Sequence, residues 1–451
     1  MEQVAEQLDL LIEARWVIPV EPANVTLEHH AIAIRGEEIV AVLPISEARM
    51  RFSAAQTVSL PEHVLIPGLI NLHTHAPMAL MRGMADDLPL MRWLMEEIWP
   101  AESAHVSDRF VFDGTLVGGA EMLRGGITCA ADMYFYPDAA ARAYEQLGMR
   151  AVIGMTVIDF PTNYASTAAD YLSKGLQVRD SWRDHSRISF ALAPHAPYTV
   201  SNATWERIGS LAEELDALIH THVQETAGEV TESIEKHGVR PLERLRSLGL
   251  LGPNLLIAHA VHLNGEEIRL LADNNVGVAH NPTSNMKLAS GAAPVADMLA
   301  AGIRVGLGSD GAASNNRLDI FQEMRMASLL AKLTTGDASV LPAHKMLQMA
   351  TIDAAHALGM QAKIGSLLPG KKADIVAVSL DTLETAPVFD PASHLVFVSG
   401  REHVAQVWIA GHTLIQDGGL LHNDNKELLG ISRLWQNSLQ NRRLTANPGS
   451  V

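Results

Sequence analysis

Short apolar runs recur eight times between about Pro67 and Leu368, separated by helical stretches, and most of them end on a histidine or an aspartate. They read VLIPGLINLH, GITCAADM, RAVIGMTVI, ISFALAP, ALIHTHV, LLIAHAV, NVGVAH and IRVGLGSD. Strands that alternate with helices call for a parallel sheet. Eight of them in roughly 300 residues fit a closed (β/α)8 TIM barrel, whose functional groups sit at the C-terminal ends of its strands. His73, His75, Asp132, His195, His222, His259, His280 and Asp310 fall at such ends. A dinucleotide fold would need a glycine fingerprint after its first strand, and none is present. GLGSDGAAS lacks both that spacing and the lysine of a phosphate loop.

The two chain ends have a different texture. LDLLIEARWVIPV and HHAIAIRGEEIVAVLPI are short β-rich pieces broken by a hairpin-like RGEE, and ADIVAVSL, HLVFVSG and VAQVWIAGHTLIQDG repeat the pattern near the C-terminus. The expectation is an α/β chain with a catalytic TIM barrel over residues 67–368. A small β-sandwich domain of antiparallel sheets would be assembled from residues 1–66 and 369–451. NKELLGISRLWQNSLQNRRLTANPGS should add an amphipathic helix that packs or makes an oligomer contact, followed by a loose tail.

Charge and cysteine usage exclude several functions. Acidic residues outnumber basic ones by 51 to 34, a net charge of -17, which argues against a nucleic-acid or anionic-membrane surface but not against a nucleoside. Cys129 is the only cysteine, so an intrachain disulfide, a cysteine zinc site and an iron–sulfur cluster are excluded. MEQVAEQLDL has no basic-then-apolar leader, and the apolar runs are too short to span a bilayer; a cytoplasmic chain is the expectation.

Residues i and i+2 of a strand point the same way, so His73 and His75 can converge on one ion. His222 in IHTHVQE offers a third imidazole, although His220 shares its parity and competes for the inward position. Asp310 closes the last strand with an oxygen. Such an N3O set suits Zn, Fe, Co or Ni and leaves a position for water. Glu225 follows His222 by three residues, either as a proton carrier or as a helix-first-turn glutamate favoured by the dipole. His259 ends the next strand, within reach of an attacking hydroxide; His262 lies further past its strand. ISFALAPHAP supplies neither lysine nor glutamate to bridge two metals, so one metal is expected and His195 becomes a candidate substrate contact.

Over nearly its full length the chain resembles the amidohydrolase superfamily. PGLINLHTH (67–75), THVQET (221–226), AHAVHL (258–263), AHNPTSNMKLASG (279–291) and GLGSDGAASNN (306–316) are similar to the branch of S-adenosylhomocysteine/5′-methylthioadenosine deaminases and triazine hydrolases. The resemblance implies that His73, His75, His222 and Asp310 hold a single Zn2+ or Fe2+, that Glu225 shuttles protons, and that His259 orients the hydroxide, with Asp310 also stabilising the adduct. The insert MRGMADDLPLMRWLMEEIWPAES resembles the lid of these deaminases, which makes Trp93 the aromatic over the nucleoside, Glu102 the acceptor of ribose hydroxyls and His195 a further nucleoside contact. It also implies a homodimer or homotetramer. Asn281, Ser284 and Asn285 are expected to shape the pocket, and His280 to support the site without binding metal.

One departure bears on the substrate. An enzyme for S-adenosylhomocysteine should offer its carboxylate a cation, preferably arginine, yet DFPTNYASTAADYLSKG opens without one. The expected substrate is 5′-methylthioadenosine, with adenosine or S-adenosylhomocysteine as secondary substrates. The alternatives are an s-triazine hydrolase or guanine deaminase on the same metal, a catalytically silent barrel, and a dihydropyrimidinase-like amidase.

Overall fold

A computed structural model describes residues 5–446. The N-terminal region contributes strands β1 (Glu6–Val17), β2 (Leu27–Arg35), β3 (Glu38–Pro44) and β4 (Phe52–Pro67). The barrel strands follow as β5 (Leu69–His75), β6 (Ile127–Tyr134), β7 (Arg150–Val157), β8 (Ile188–Pro194), β9 (Ile219–Val223), β10 (Leu255–His259), β11 (Gly277–His280), β12 (Val305–Leu307) and β13 (Asp310–Gly311). The C-terminal region returns β14 (Ile375–Ser379), β15 (Val404–Ile409), β16 (His412–Gln416) and β17 (Gly419–Leu420).

From β5 to β12 each strand pairs with its successor, and the pairs are parallel. The cylinder closes where Asp310 and Gly311 of β13 pair with Thr74 and His75 of β5. Parallel pairing needs crossovers, and helices such as Asp108–Arg124, capped by Ser107, and Ala227–His237, capped by Thr226, provide them. Covered on both faces, β6 and β7 are buried along their entire lengths, which explains why these strands read as continuous apolar runs.

The eighth run was expected as one strand, IRVGLGSD, and is divided. After Leu307 the ladder is interrupted because the Ser309 N–H donates to Asn71 Oδ1 at 2.9 Å and Asp310 takes a left-handed φ of 59°. The glycines of this run serve close approach rather than phosphate binding. A Cβ on Gly308 would lie 2.2 Å from Asn281 Oδ1 and 2.9 Å from His73 Cβ.

Strands from both chain ends combine, as expected, in one β-structure, ordered β17-β16-β15-β14-β4-β1-β2-β3. The expected separate antiparallel sheets are instead one continuous mixed sheet, because β1 and β4 run parallel. The β2–β3 hairpin turns at Gly36, and helix Ile45–Arg51 then carries the chain across to the other side of β1. HLVFVSG was also expected as a strand and is helical: Asp390 Oδ1 accepts the Ala392 N–H and Pro391 opens helix Pro391–Phe397. That end signal outweighs the β-branched run.

The C-terminal helix Asn425–Ala446 packs on the barrel. Trp435 Nε1 donates to Asp113 Oδ2 at 2.9 Å, and its ring meets Phe110 edge-on. The tail expected beyond it lies outside the described residues. No helix among the described residues is long and apolar enough to cross a membrane.

Asp374 ties the sheet to the barrel floor. Its carboxylate accepts two hydrogen bonds from Arg150, at 3.1 and 3.2 Å, and one from the Ala410 N–H at 2.9 Å. Both side chains of the ion pair are 3% exposed. Asp374→Ala strands the guanidinium, and denaturant unfolding is expected to register a loss of about 3–5 kcal/mol; a loss below about 1 kcal/mol would show that the pair is dispensable.

Candidate active site

The C-terminal ends of β5, β9 and β10 and the start of the short β13 bring His73, His75, His222, His259 and Asp310 together. Their ligand atoms form two overlapping groups, His73/His75/Asp310 and His73/His222/His259, with atoms in each group within 4.8 Å of one another. His75 Nε2 lies 3.2 Å from Asp310 Oδ1 and 3.3 Å from His222 Nε2, and His73 Nε2 lies 3.4 Å from the same oxygen.

The opposite nitrogen of each imidazole is already engaged. His75 Nδ1–H donates to the Met133 carbonyl at 2.5 Å, and His222 Nδ1–H to the His195 carbonyl at 2.6 Å. His73 Nδ1 faces His220 Nε2 at 2.9 Å. This arrangement resolves the parity competition. His220 and His222 both point inward, but His220 sits one inward position deeper, behind His73. Asp310 Oδ2 accepts from the Ser284 and Ser314 hydroxyls at 2.6 and 2.7 Å, which leaves Oδ1 toward the histidines.

The Nε2 atoms of His73 and His75, whose Nδ1 partners are fixed, thus converge on a carboxylate oxygen, His222 Nε2 stands beside that of His75, and His73 Nε2 is buried without a hydrogen-bond donor or acceptor of its own. Lone pairs opposed in this way need a cation between them. An N3O donor set with engaged outer nitrogens fits zinc. Burial drives His73 down to about 4. At His75 burial acts in the same direction, but the Asp310 carboxylate outweighs it and carries the group up to about 9. Asp310 is held well below the ordinary carboxylate range by His73 and His75, against its burial.

Glu225 is buried beside this cluster. Its Oε2 lies 3.7 Å from His259 Nε2, and its Oε1 accepts from Ser290 Oγ at 3.4 Å. Burial raises its pKa, with His259 opposing, which suits a group that must hold and release a proton. His259 Nδ1 pairs with Asn285 Oδ1 at 2.8 Å, so its Nε2 is the atom presented to Glu225. His259 also stands as close to His73 and His222 as a ligand would. His262 Nε2–H donates to the Ser290 carbonyl at 2.7 Å and so steadies the loop that carries the Ser290 hydroxyl. His280 is buried and joins neither group of ligand atoms.

Above the cluster lies a cavity of about 280 Å³ whose lining includes Trp93, Glu102, His195, Glu225, His259 and Asp310. Trp93 opens the π-helical turn Trp93–Ile98 in the segment between β5 and β6 and is 5% exposed. Burial pushes Glu102 up to about 7 while the Tyr134 hydroxyl, donating at 2.6 Å, pulls it down. His195 Nδ1 pairs with Thr199 Oγ1 at 3.0 Å, and burial keeps the ring neutral, at about 3. Trp99 and Phe160 meet edge-on in the wall, with ring centroids 6.0 Å apart. Neither Arg nor Lys lines the cavity among the described residues.

Several groups that complete this geometry were not legible as functional. The Met133 and His195 carbonyls are backbone atoms and leave no sequence signal. Ser314 and Glu323 had a weak one, since both follow the Asp310 motif closely. Glu323 is fully buried and accepts from Asn315 Nδ2 and the Thr283 N–H, joining the two loops whose serines hold Asp310. Burial pushes it up to about 8 against those hydrogen bonds. Because its folded pKa lies above its ordinary 4.5, the folded chain binds the extra proton between these values. The resulting stability is complete below about 4.5 and is lost as pH rises through about 8. Urea unfolding across that range should show the wild type losing stability relative to Glu323→Gln; the reverse trend would mean that Glu323 is ionised throughout.

A model of the amidohydrolase family matches residues 64–414. The 5-methylthioadenosine/S-adenosylhomocysteine deaminase of Saccharophagus degradans is 45% identical over 435 residues, covering 96% of this chain and 98% of that protein. Among solved structures, an adenosine deaminase from Xanthomonas campestris with bound zinc matches with a TM-score of 0.96 and 47% identity, over 97% of this chain and 100% of that one. Atrazine chlorohydrolase from Arthrobacter aurescens, complexed with zinc, matches with a TM-score of 0.88 and 25% identity, over 94% and 99% of the two chains.

Proposed function

The chain belongs to the amidohydrolase family, and from that premise we propose that it is a zinc-dependent deaminase converting 5′-methylthioadenosine and water to 5′-methylthioinosine and ammonia. The observation that carries this reading is the buried Glu225 carboxylate beside His259 Nε2, at the edge of the three-imidazole and one-carboxylate cluster. The full-length deaminase relatives and the zinc-bound structural neighbour support it. The chemistry is assigned to the barrel of residues 67–368.

His73, His75, His222 and Asp310 would hold the ion. When bound, zinc supplies the Lewis acidity that makes water a nucleophile near neutral pH. Glu225 takes the proton of the attacking water and passes it to the adenine ring nitrogen as the oxygen adds at C6. A second transfer through Glu225 protonates the exocyclic amine, the C6–N bond breaks, and ammonia leaves. His259 Nε2 orients the attacking oxygen, and Asp310 Oδ1 stabilises the tetrahedral adduct by accepting from its hydroxyl. Trp93 stacks on the purine, Glu102 accepts from the ribose hydroxyls, and His195 contacts the nucleoside.

The absence of lining cations favours 5′-methylthioadenosine over S-adenosylhomocysteine, whose amino-acid carboxylate would lack a partner. The volume points the same way, lying just below the roughly 300–1,000 Å³ usual for small-molecule sites. A charge-assisted hydrogen bond contributes about 1.5–3 kcal/mol. Steady-state comparison should therefore give methylthioadenosine a kcat/KM about 10–100-fold above that of S-adenosylhomocysteine; equal values would overturn the preference.

A further inference from the structure

Glu229 is a buried carboxylate with no part in the reaction described above. It is 7% exposed and lies in the first turn of helix Ala227–His237, where its own N–H donates to the cap, Thr226 Oγ1, at 3.2 Å. A glutamate at this position ordinarily folds back to the N–H of the capping residue itself. Glu229 reaches further. One oxygen accepts the Gln224 N–H at 2.9 Å and the other accepts the Glu225 N–H at 2.8 Å.

Those two N–H groups can face one carboxylate because Gln224 has a left-handed φ of 54°. For a residue with a side chain that conformation costs about 1–2 kcal/mol. Successive N–H groups around such a residue form a concave anion-binding nest, and here the anion is supplied by the chain itself. The Gln224 side chain is also tied on both sides, donating to the His262 carbonyl at 2.8 Å and accepting the Leu242 N–H at 3.2 Å. The strained turn is thus clamped at its side chain by the next loop and at its backbone by Glu229. It redirects the chain as it leaves β9, and the residue whose direction it sets is Glu225.

We propose that Glu229 is a positioning residue for catalysis: by closing the 224–225 nest it fixes the Glu225 carboxylate in its place beside His259. This rests on Glu225 being the proton carrier. A helix cap alone would need neither of these bonds, since its target is the Thr226 N–H, and would act on stability without reference to Glu225.

The test uses the zinc-loaded full chain and compares Glu229→Ala, Glu229→Gln, Glu225→Gln and the double variant Glu225→Gln/Glu229→Ala. Displacing a reacting group by about 1 Å can cost on the order of 100-fold. Glu229→Ala is expected to lower kcat for 5′-methylthioadenosine by about that factor, with KM and zinc content little changed. Added to Glu225→Gln, the same substitution should cost less than about twofold, because the group it positions is already disabled. Glu229→Gln, near-isosteric but with only one accepting oxygen, should fall between and serves if the alanine variant does not fold. An unchanged kcat, or an equal loss with and without Glu225, would reduce Glu229 to a cap. Should the wild type fail to deaminate the nucleoside, the functional reading falls by itself. Crystal structures of the wild type and Glu229→Gln would then decide the positioning: a shifted Glu225 carboxylate upholds it and an unmoved one overturns it.

Discussion

Glu225→Gln is expected to lower kcat for 5′-methylthioadenosine by about 10²–10⁴-fold while the protein keeps its zinc and its fold. Glutamine preserves the size of the side chain and one accepting oxygen, so the contact with Ser290 Oγ can persist. What it removes is the ability to take a proton from water and return it to the purine. Glu225 belongs to neither group of clustered ligand atoms, which is why metal content should hold while turnover collapses. A parallel loss of zinc would move Glu225 into the ligand set. A loss below about tenfold would mean that another group carries the proton.

The second large effect concerns the ion. Removing the outer partner of a metal-bound histidine typically weakens binding by about 10–100-fold, and removing a ligand itself should cost more. Chelator competition is therefore expected to rank the variants, with His75→Ala and Asp310→Ala losing zinc most readily and His220→Ala intermediate. His220 comes second because it meets His73 Nδ1 rather than the converging Nε2 atoms. Wild-type zinc retention in His75→Ala would contradict the assigned ligand set, and His259, equally close to His73 and His222, would be the next group to test.

How far the sequence reaches can be read from single residues. The HTH pair of β5 was legible because strand parity alone puts His73 and His75 on one side, and the barrel was legible because most of its strands carry a histidine or aspartate at the same end. Parity also explains where this stops. His220 and His222 are equivalent to it, and only the depth of each inside the closed cylinder separates a group behind His73 from one beside His75. Glu225 and Glu229 present a similar ambiguity. Both sit near the start of one helix, and the first-turn role open to Glu225 is taken by Glu229, since the left-handed Gln224 determines which of the two faces the cavity. His259 and Asp310 also have left-handed backbones, a strain that tertiary contacts impose and local sequence does not announce. At the chain ends the alternation of apolar residues revealed strands. The parallel pairing of β1 with β4 depends on a crossover whose partner lies nearly fifty residues away, as in Glu6 with Phe52 and Val17 with Leu65, and alternation carries no record of it.

The most direct measurement is an ultraviolet time course of the zinc-loaded protein with 5′-methylthioadenosine, run beside S-adenosylhomocysteine, adenosine, guanine and an aminotriazine. Conversion of the aminopurine spectrum of methylthioadenosine to that of the oxopurine, with stoichiometric ammonia and faster than for the other compounds, is the predicted result. An unchanged methylthioadenosine spectrum alongside turnover of guanine or the triazine would contradict it.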